Sequence, residues 1–326
     1  MSSPGARDGR GRRRALVAGF VFIALLFAGG LTFGELRSLA DLRSEVASFR
    51  WDLRFEHLVA ALGLATANLF LMGSVWVGLF RAFGGRIGHG EGVRAWMTTN
   101  LGRYIPGKIW QLAGLAVYAR EKGESATAAL GATLVFQILS LGSGAVIAVA
   151  TLGGRLSFLP AKGISTTAVV LALLLVLLHP GILSRLTRLA ARLLREDQPG
   201  ASVGILALAR AAAVLLAAWL VYGLGLRELL AGMSVGTEAG VLVLAGFFAA
   251  SYVVGYLVLL TPGGLVVREG TLAGLLAAFT PLALGVAGLA AVAARVWIVA
   301  SEALAVGVAA ASRRRTNGLV GEGETE

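Results

Sequence analysis

The chain has 326 residues, of which 57% are hydrophobic and 14% charged, with a mean hydropathy of +0.80; this excludes an ordinary soluble domain and specifies a polytopic helical membrane protein. The net charge of +11 would point to nucleic acid in a soluble protein, but here the cations collect in short segments between apolar runs. The positive-inside rule accounts for them, and no nucleic-acid partner is expected. There is no cysteine, and the three histidines (His57, His89, His179) are scattered without ligand spacing, so neither disulfides nor a metal or other cofactor is expected.

Residues 1–14 form a basic tail ending in Arg12-Arg13-Arg14, expected on the cytoplasmic side. Residues 15–33 are apolar for 19 positions, enough to span the hydrocarbon core; no A-x-A site follows, so they read as an uncleaved first helix rather than a signal peptide. Residues 35–57 alternate acidic and basic side chains over apolar positions at helical spacing, an amphipathic helix on the outer surface. Residues 58–80 are a second span, which returns the chain to a Gly-rich cytoplasmic loop carrying Arg81, Arg86 and Arg94.

Next comes Asn100-Leu101-Gly102-Arg103-Tyr104-Ile105-Pro106-Gly107-Lys108-Ile109-Trp110-Gln111, with two cations, two amides and a Pro-Gly break between apolar runs. Proline removes a backbone donor, and cations near bilayer depth cost several kcal/mol unless they find a partner, water or an anionic ligand. If residues 95–118 crossed completely, Arg185, Arg188, Arg192 and Arg195 would fall outside; a re-entrant hairpin keeps them inside and is therefore preferred. Residues 126–152 and 164–178 are the third and fourth spans. Gln137, in the middle of the third, is read as an interhelical hydrogen bond in preference to a ligand contact.

A basic linker near residues 180–200 joins two halves, 15–180 and 201–312, of a single transmembrane domain spanning 15–312. Residues 203–226 and 241–260 are the fifth and sixth spans, with an outer loop between them. A second break follows at Thr261-Pro262-Gly263-Gly264-Leu265-Val266-Val267-Arg268-Glu269-Gly270. Its proline lies 156 residues after Pro106, close to half the chain, and paired breaks of this kind point to a transporter binding site. A complete crossing over 265–280 gives eight spans and keeps Arg313-Arg314-Arg315 inside; a second hairpin gives seven and puts that cluster outside. The charge argument selects eight. The tail, 313–326, is expected to be cytoplasmic and disordered.

The ionisable residues that need an explanation within the membrane region are Arg103, Lys108, Arg268, Glu269, Arg295 and Glu302. Arg295 and Glu302 are two helical turns apart and share a face; Arg268 and Glu269 diverge and should pair with other helices. Four cations against two acids leave positive charge for a phosphate or another anionic head group. The competing reading makes these residues buried salt bridges that fix helix packing. Tyr104 and Trp110 fit interfacial anchors. Pro106, Gly107, Pro262, Gly263 and Gly264 act through backbone shape.

The Asn-x-x-Arg-Tyr-x-Pro-Gly-Lys-x-Trp-Gln run, the later Pro-Gly-Gly-x-x-x-Arg-Glu-Gly run, and the Arg and Glu of the final apolar helix together resemble the flippase-like membrane domain of lysylphosphatidylglycerol synthases. Val266-Val267 stands where that family more often has Gly-Val. The resemblance implies lipid handling at the cell membrane: translocation of an anionic phospholipid or polyprenyl-phosphate-type lipid, with Asn100, Arg103, Tyr104, Lys108, Gln111, Arg268, Glu269, Arg295 and Glu302 around the head group. Family members that aminoacylate lipid carry a soluble transferase domain; no polar segment here reaches the roughly 100 residues such a domain needs, so an enzyme is not expected. An intramembrane enzyme using Glu269 or Glu302 as a base, or a structural lipid-binding subunit, are the alternatives. With both termini expected inside, a cysteine introduced at position 190 should resist an impermeant thiol reagent on intact cells; labelling there would overturn the topology.

Overall fold

The computed structural model describes residues 49, 52–105, 110–153, 181, 185, 188, 192, 203–257 and 266–322. The expected spans at 15–33 and 164–178, most of the outer amphipathic segment, most of the linker and the end of the tail lie outside these residues, as do Pro106, Gly107, Lys108, Pro262, Gly263 and Gly264. The regular structure described is all helical: α1 (Phe55–Ala82), α2 (His89–Asn100), a 3-10 turn (Leu101–Tyr104), α3 (Trp110–Glu121), α4 (Ala126–Leu152), α5 (Ile205–Gly232), α6 (Val241–Leu257), α7 (Val267–Phe279) and α8 (Leu284–Glu322).

Four of these are long and apolar enough to cross a membrane: α1, α4, α5 and the Leu284–Ala311 part of α8. Each has 27 or 28 residues, about 42 Å at 1.5 Å per residue, against a core of about 30 Å. Ser125 caps α4 by accepting from the Ala128 N–H at 3.1 Å. In contrast, α2 and α3 have 12 residues each and α7 has 13, roughly 18–20 Å. A 13-residue α7 is thus shorter than the complete crossing expected over 265–280.

Two boundaries differ from expectation. Asp52 to Arg54 are not helical, and α1 starts at Phe55, because the Arg54 N–H is taken by the Gly232 carbonyl at 2.9 Å. At the other end α8 continues to Glu322 through residues expected to be disordered; alanine and arginine are strong helix formers and carry the last span onward.

The short helices form two antiparallel hairpins. In the first, Gly102 lies against Gln111, Gly114 against Thr99, and Glu91 against Lys122 at 2.7 Å, so α2 and α3 run side by side, with the Leu101–Tyr104 turn at the tip. The Lys122 ammonium holds the Glu91 carboxyl below its usual range and clasps the open end, with Tyr118 Oη donating to the same carboxylate at 3.0 Å. In the second, Gly255 lies against Arg268 while Phe247 and Phe279 meet with ring centroids 6.0 Å apart, so α6 and α7 also run antiparallel, with Leu257 and Val266 at their tip end.

The chain is therefore the same four-part unit used twice: long helix, short helix, break, short helix, long helix. Packing repeats with it. The contacts of α1 with α2, α2 with α3, α3 with α4, α4 with α6, and α4 with α5 are matched by α5 with α6, α6 with α7, α7 with α8, α8 with α2, and α8 with α1. The equivalent helices α1 and α5 pack directly on each other. They run antiparallel, since Arg54 meets Gly232, His57 Nδ1 lies 2.7 Å from Glu228 Oε2, and Asn68 Nδ2 donates to the Ala218 carbonyl at 3.1 Å. Equivalent helices of opposite direction make the two units inverted repeats, the arrangement in which secondary transporters build mid-bilayer sites.

Val266, the residue before α7, has φ 70° and ψ −48°. A β-branched side chain is an outlier there, in γ-turn geometry that is rare and strained. Strain of this kind costs about 1–3 kcal/mol, and glycine avoids it at about 0.5–1 kcal/mol of lost backbone entropy. Val266→Gly is accordingly expected to stabilise the protein by about 1 kcal/mol, read as a higher melting temperature in detergent; a lower one would show that Val266 is not strained.

Candidate functional site

Both hairpin tips end at one cavity. It has a volume of about 60 Å³, room for several water molecules, and is lined from the first hairpin by Asn100, Arg103 and Gln111 and from the second by Tyr252, Tyr256 and Arg268. The long helices complete it with Leu69 and Met72 of α1, Phe136 and Gln137 of α4, Trp219 and Tyr222 of α5, and Arg295 and Ile298 of α8. Leu69 and Trp219 sit at the midpoints of the 28-residue α1 and α5, which fixes the depth: the cavity lies halfway along two membrane-crossing helices.

Three guanidiniums and two carboxylates meet here. Glu302, on α8 and 3% exposed, pairs with Arg103, accepts from Tyr104 Oη at 2.6 Å and lies 3.4 Å from Asn100 Nδ2. The first tip is thereby tied to α8. Two turns earlier on the same helix, Arg295 lies 3.6 Å from Glu269 of α7, with its guanidinium 5.3 Å from the centre of the Tyr104 ring. So the pairs formed are Arg103 with Glu302 and Arg295 with Glu269, each between different elements, as the diverging directions of Arg268 and Glu269 require.

Arg268 is different. It is 8% exposed and has no carboxylate within ion-pair distance among the described residues. Its guanidinium lies instead over Phe248 at 4.8 Å and Tyr252 at 5.3 Å from the ring centres. Two more donors lining the cavity are buried without a hydrogen-bond partner among the described residues: Trp96 Nε1 and Gln137 Nε2. Gln137 was expected to bridge helices; instead it lines the cavity, and its Nε2 has no hydrogen-bond partner among the described residues.

Of the residues singled out in the sequence, Asn100, Arg103, Gln111, Arg268 and Arg295 line the cavity, and Tyr104, Glu269 and Glu302 stand beside it holding the cations. Tyr104 is not an interfacial anchor, since its hydroxyl is committed to Glu302. Trp110 is 48% exposed and belongs to a separate groove beside α3. The aromatic wall of Phe248, Tyr252, Tyr256, Trp219 and Tyr222 was missed. Its one visible signal is Tyr252 and Tyr256, one turn apart just ahead of the second break.

Removing the Glu302 charge leaves Arg103, 23% exposed, without its carboxylate. Glu302→Gln should destabilise by about 1.5–3 kcal/mol, and Arg103→Gln on top of it should recover most of the loss. Thermal unfolding of the single and double variants in detergent checks this; a double variant no more stable than Glu302→Gln would refute the pairing.

No curated protein matches the chain. The family described as the lysylphosphatidylglycerol synthase TM region matches residues 15–302, nearly the whole length and both hairpins, and the chain belongs to that family.

Proposed function

We propose that the protein translocates a membrane lipid with an anionic, phosphate-bearing head group, and that the head group passes through the cavity at the hairpin tips. The observation that carries this is Arg268: a buried guanidinium at mid-depth, flanked by aromatic faces and lacking a carboxylate among the described residues. Such a cation is costly unless an anion visits it. Trp96 Nε1 and Gln137 Nε2 add uncommitted donors to the same wall, which suits phosphate and hydroxyl oxygens. Lys108, just beyond the described residues, would add a second cation to the first tip.

A chemical role for Glu302 has less support. Glu302 already receives Arg103, Asn100 and Tyr104, which leaves little capacity to act as a base.

In the proposed topology both hairpins dip into the cell membrane and return, from opposite faces. The second hairpin then includes all of α6 and α7, so neither helix counts as a crossing. With 15–33 and 164–178 as spans, six complete crossings remain: an even number, which keeps Arg12-Arg13-Arg14, the 180–200 linker and Arg313-Arg314-Arg315 all on the cytoplasmic side.

Charge-assisted contacts contribute about 1.5–3 kcal/mol, so Arg268→Met should cut lipid transfer about 10- to 150-fold in vesicles. It strands no acid, so the melting temperature should stay close to wild type. Lys108→Met should behave likewise. Transfer of fluorescent phosphatidylglycerol and of a polyprenyl phosphate, run in parallel, separates the two lipid classes. Undiminished transfer of both by both variants would end the proposal; loss of transfer together with a collapse in melting temperature would return the residues to a structural role.

A further inference from the structure

The two hairpins are equivalent in topology but are not docked alike. On one side α6 lies flat against α4: a Cβ on Gly246 would fall 2.8 Å from the Thr151 Cβ, and Leu244 to Ser251 are all buried, as are Ile147, Ala148 and Leu152 opposite. Its counterpart is α2 against α8. These touch at the tip, where Asn100 and Arg103 reach Glu302, and then part. A groove of about 1110 Å³ runs between the first hairpin and α8, with Ala95, Thr98 and Thr99 on one wall and Val306, Ala309 and Ala310 on the other. Counted from the helix starts, Gly246 and Thr151 correspond to Arg94 and Ala309, and both of these line the groove.

Inverted repeats with one interface open and its twin closed have a second conformation in which the two exchange states, since the same packing solution exists on either side. Resting on the proposed function, we infer that the α4–α6 interface is a second lipid portal, shut in this conformation, and that it opens to the opposite leaflet when α2 closes against α8. The cavity is already placed to serve both. Phe136 and Gln137 of α4 and Phe248 and Tyr252 of α6 form its wall on the shut side; Asn100 and Arg103 of the first tip and Arg295 and Ile298 of α8 form its wall on the grooved side. A lipid phosphate held at Arg268 can therefore keep its site while its acyl chains exchange one groove for the other. Ala95 (6% exposed), Ala309 (5%) and Ala310 at the grooved interface are small, so none has the bulk to block the closure.

The chain has no cysteine of its own, so engineered pairs report cleanly. Spin labels at Thr98→Cys with Ala310→Cys span the groove, and labels at Ala150→Cys with Leu242→Cys span the shut interface; all four positions are exposed. In phosphatidylcholine vesicles containing phosphatidylglycerol, each pair should give two distance populations. Varying the phosphatidylglycerol content should shift the two pairs in opposite directions. A disulfide between Gly246→Cys and Thr151→Cys should abolish phosphatidylglycerol transfer, and a reductant should restore it.

A single short distance between positions 150 and 242 under every condition overturns the inference, and this readout does not depend on the disulfide variant folding. Full transfer by the cross-linked protein overturns it as well. If wild type moves lipid while the disulfide has no effect, only the portal falls. A wild type that moves neither phosphatidylglycerol nor a polyprenyl phosphate removes the proposed function itself, and the portal with it.

Discussion

A helix that stops inside the hydrocarbon leaves backbone N–H and C=O groups without helical partners, at several kcal/mol each, and the topology proposed above stops two of them there. Such ends survive only when protein or water surrounds them. Inverted repetition supplies the surroundings: two hairpins of opposite direction bring Asn100, Arg103, Tyr256 and Arg268 around one cavity between four long helices. The spacing on α8 fits the same need. Arg295 and Glu302 stand two turns apart, about 10 Å along the axis, and each holds the tip of a different hairpin, so one helix carries both anchors.

Symmetry of the backbone is not symmetry of the site. The first tip brings Arg103, which is neutralised by Glu302; the second brings Arg268, which has no acid among the described residues, and Glu269, which turns away to Arg295. Three guanidiniums against two carboxylates leave one positive charge in the described part of the site, and it falls on the second hairpin. An evenly paired site would be a structural salt-bridge cluster with nothing to offer a ligand. The offset between the repeats is what leaves binding capacity.

Much of this was legible in the sequence. Long apolar runs marked α1, α4, α5 and α8 because twenty or so apolar residues have few other uses. Of the isolated charges between apolar runs, Arg103, Arg268 and Arg295 marked the cavity. The extent of the second hairpin was hidden: α6 has 17 apolar residues, and by hydropathy alone that cannot be told from a span. Only its antiparallel contact with α7 makes it half of a hairpin. Gln137 was misjudged for a related reason, since a lone polar residue on an apolar helix does not reveal whether it faces a neighbour or a void. Partner choice among the charges was open for the same cause; three arginines and two acids allow several pairings, and only the folded positions select one.

The aromatic wall explains how Arg268, without a carboxylate among the described residues, is held while the site is empty of the proposed ligand. A carboxylate beside Arg268 would stabilise it more strongly but would neutralise it, and would then compete with any phosphate for the same donors. Aromatic faces stabilise a guanidinium by about 0.5–2 kcal/mol each without cancelling its charge or using its N–H groups, which stay free at the rim of the rings. Phe248 and Tyr252 supply two such faces from α6, the helix that carries the second tip. The same side chains form the wall of the cavity toward α4, so movement of α6 would alter the hold on Arg268 and the access to it in one step. In the proposed function, binding and opening would thus draw on one set of residues, and coupling between them would need no relay through the rest of the protein.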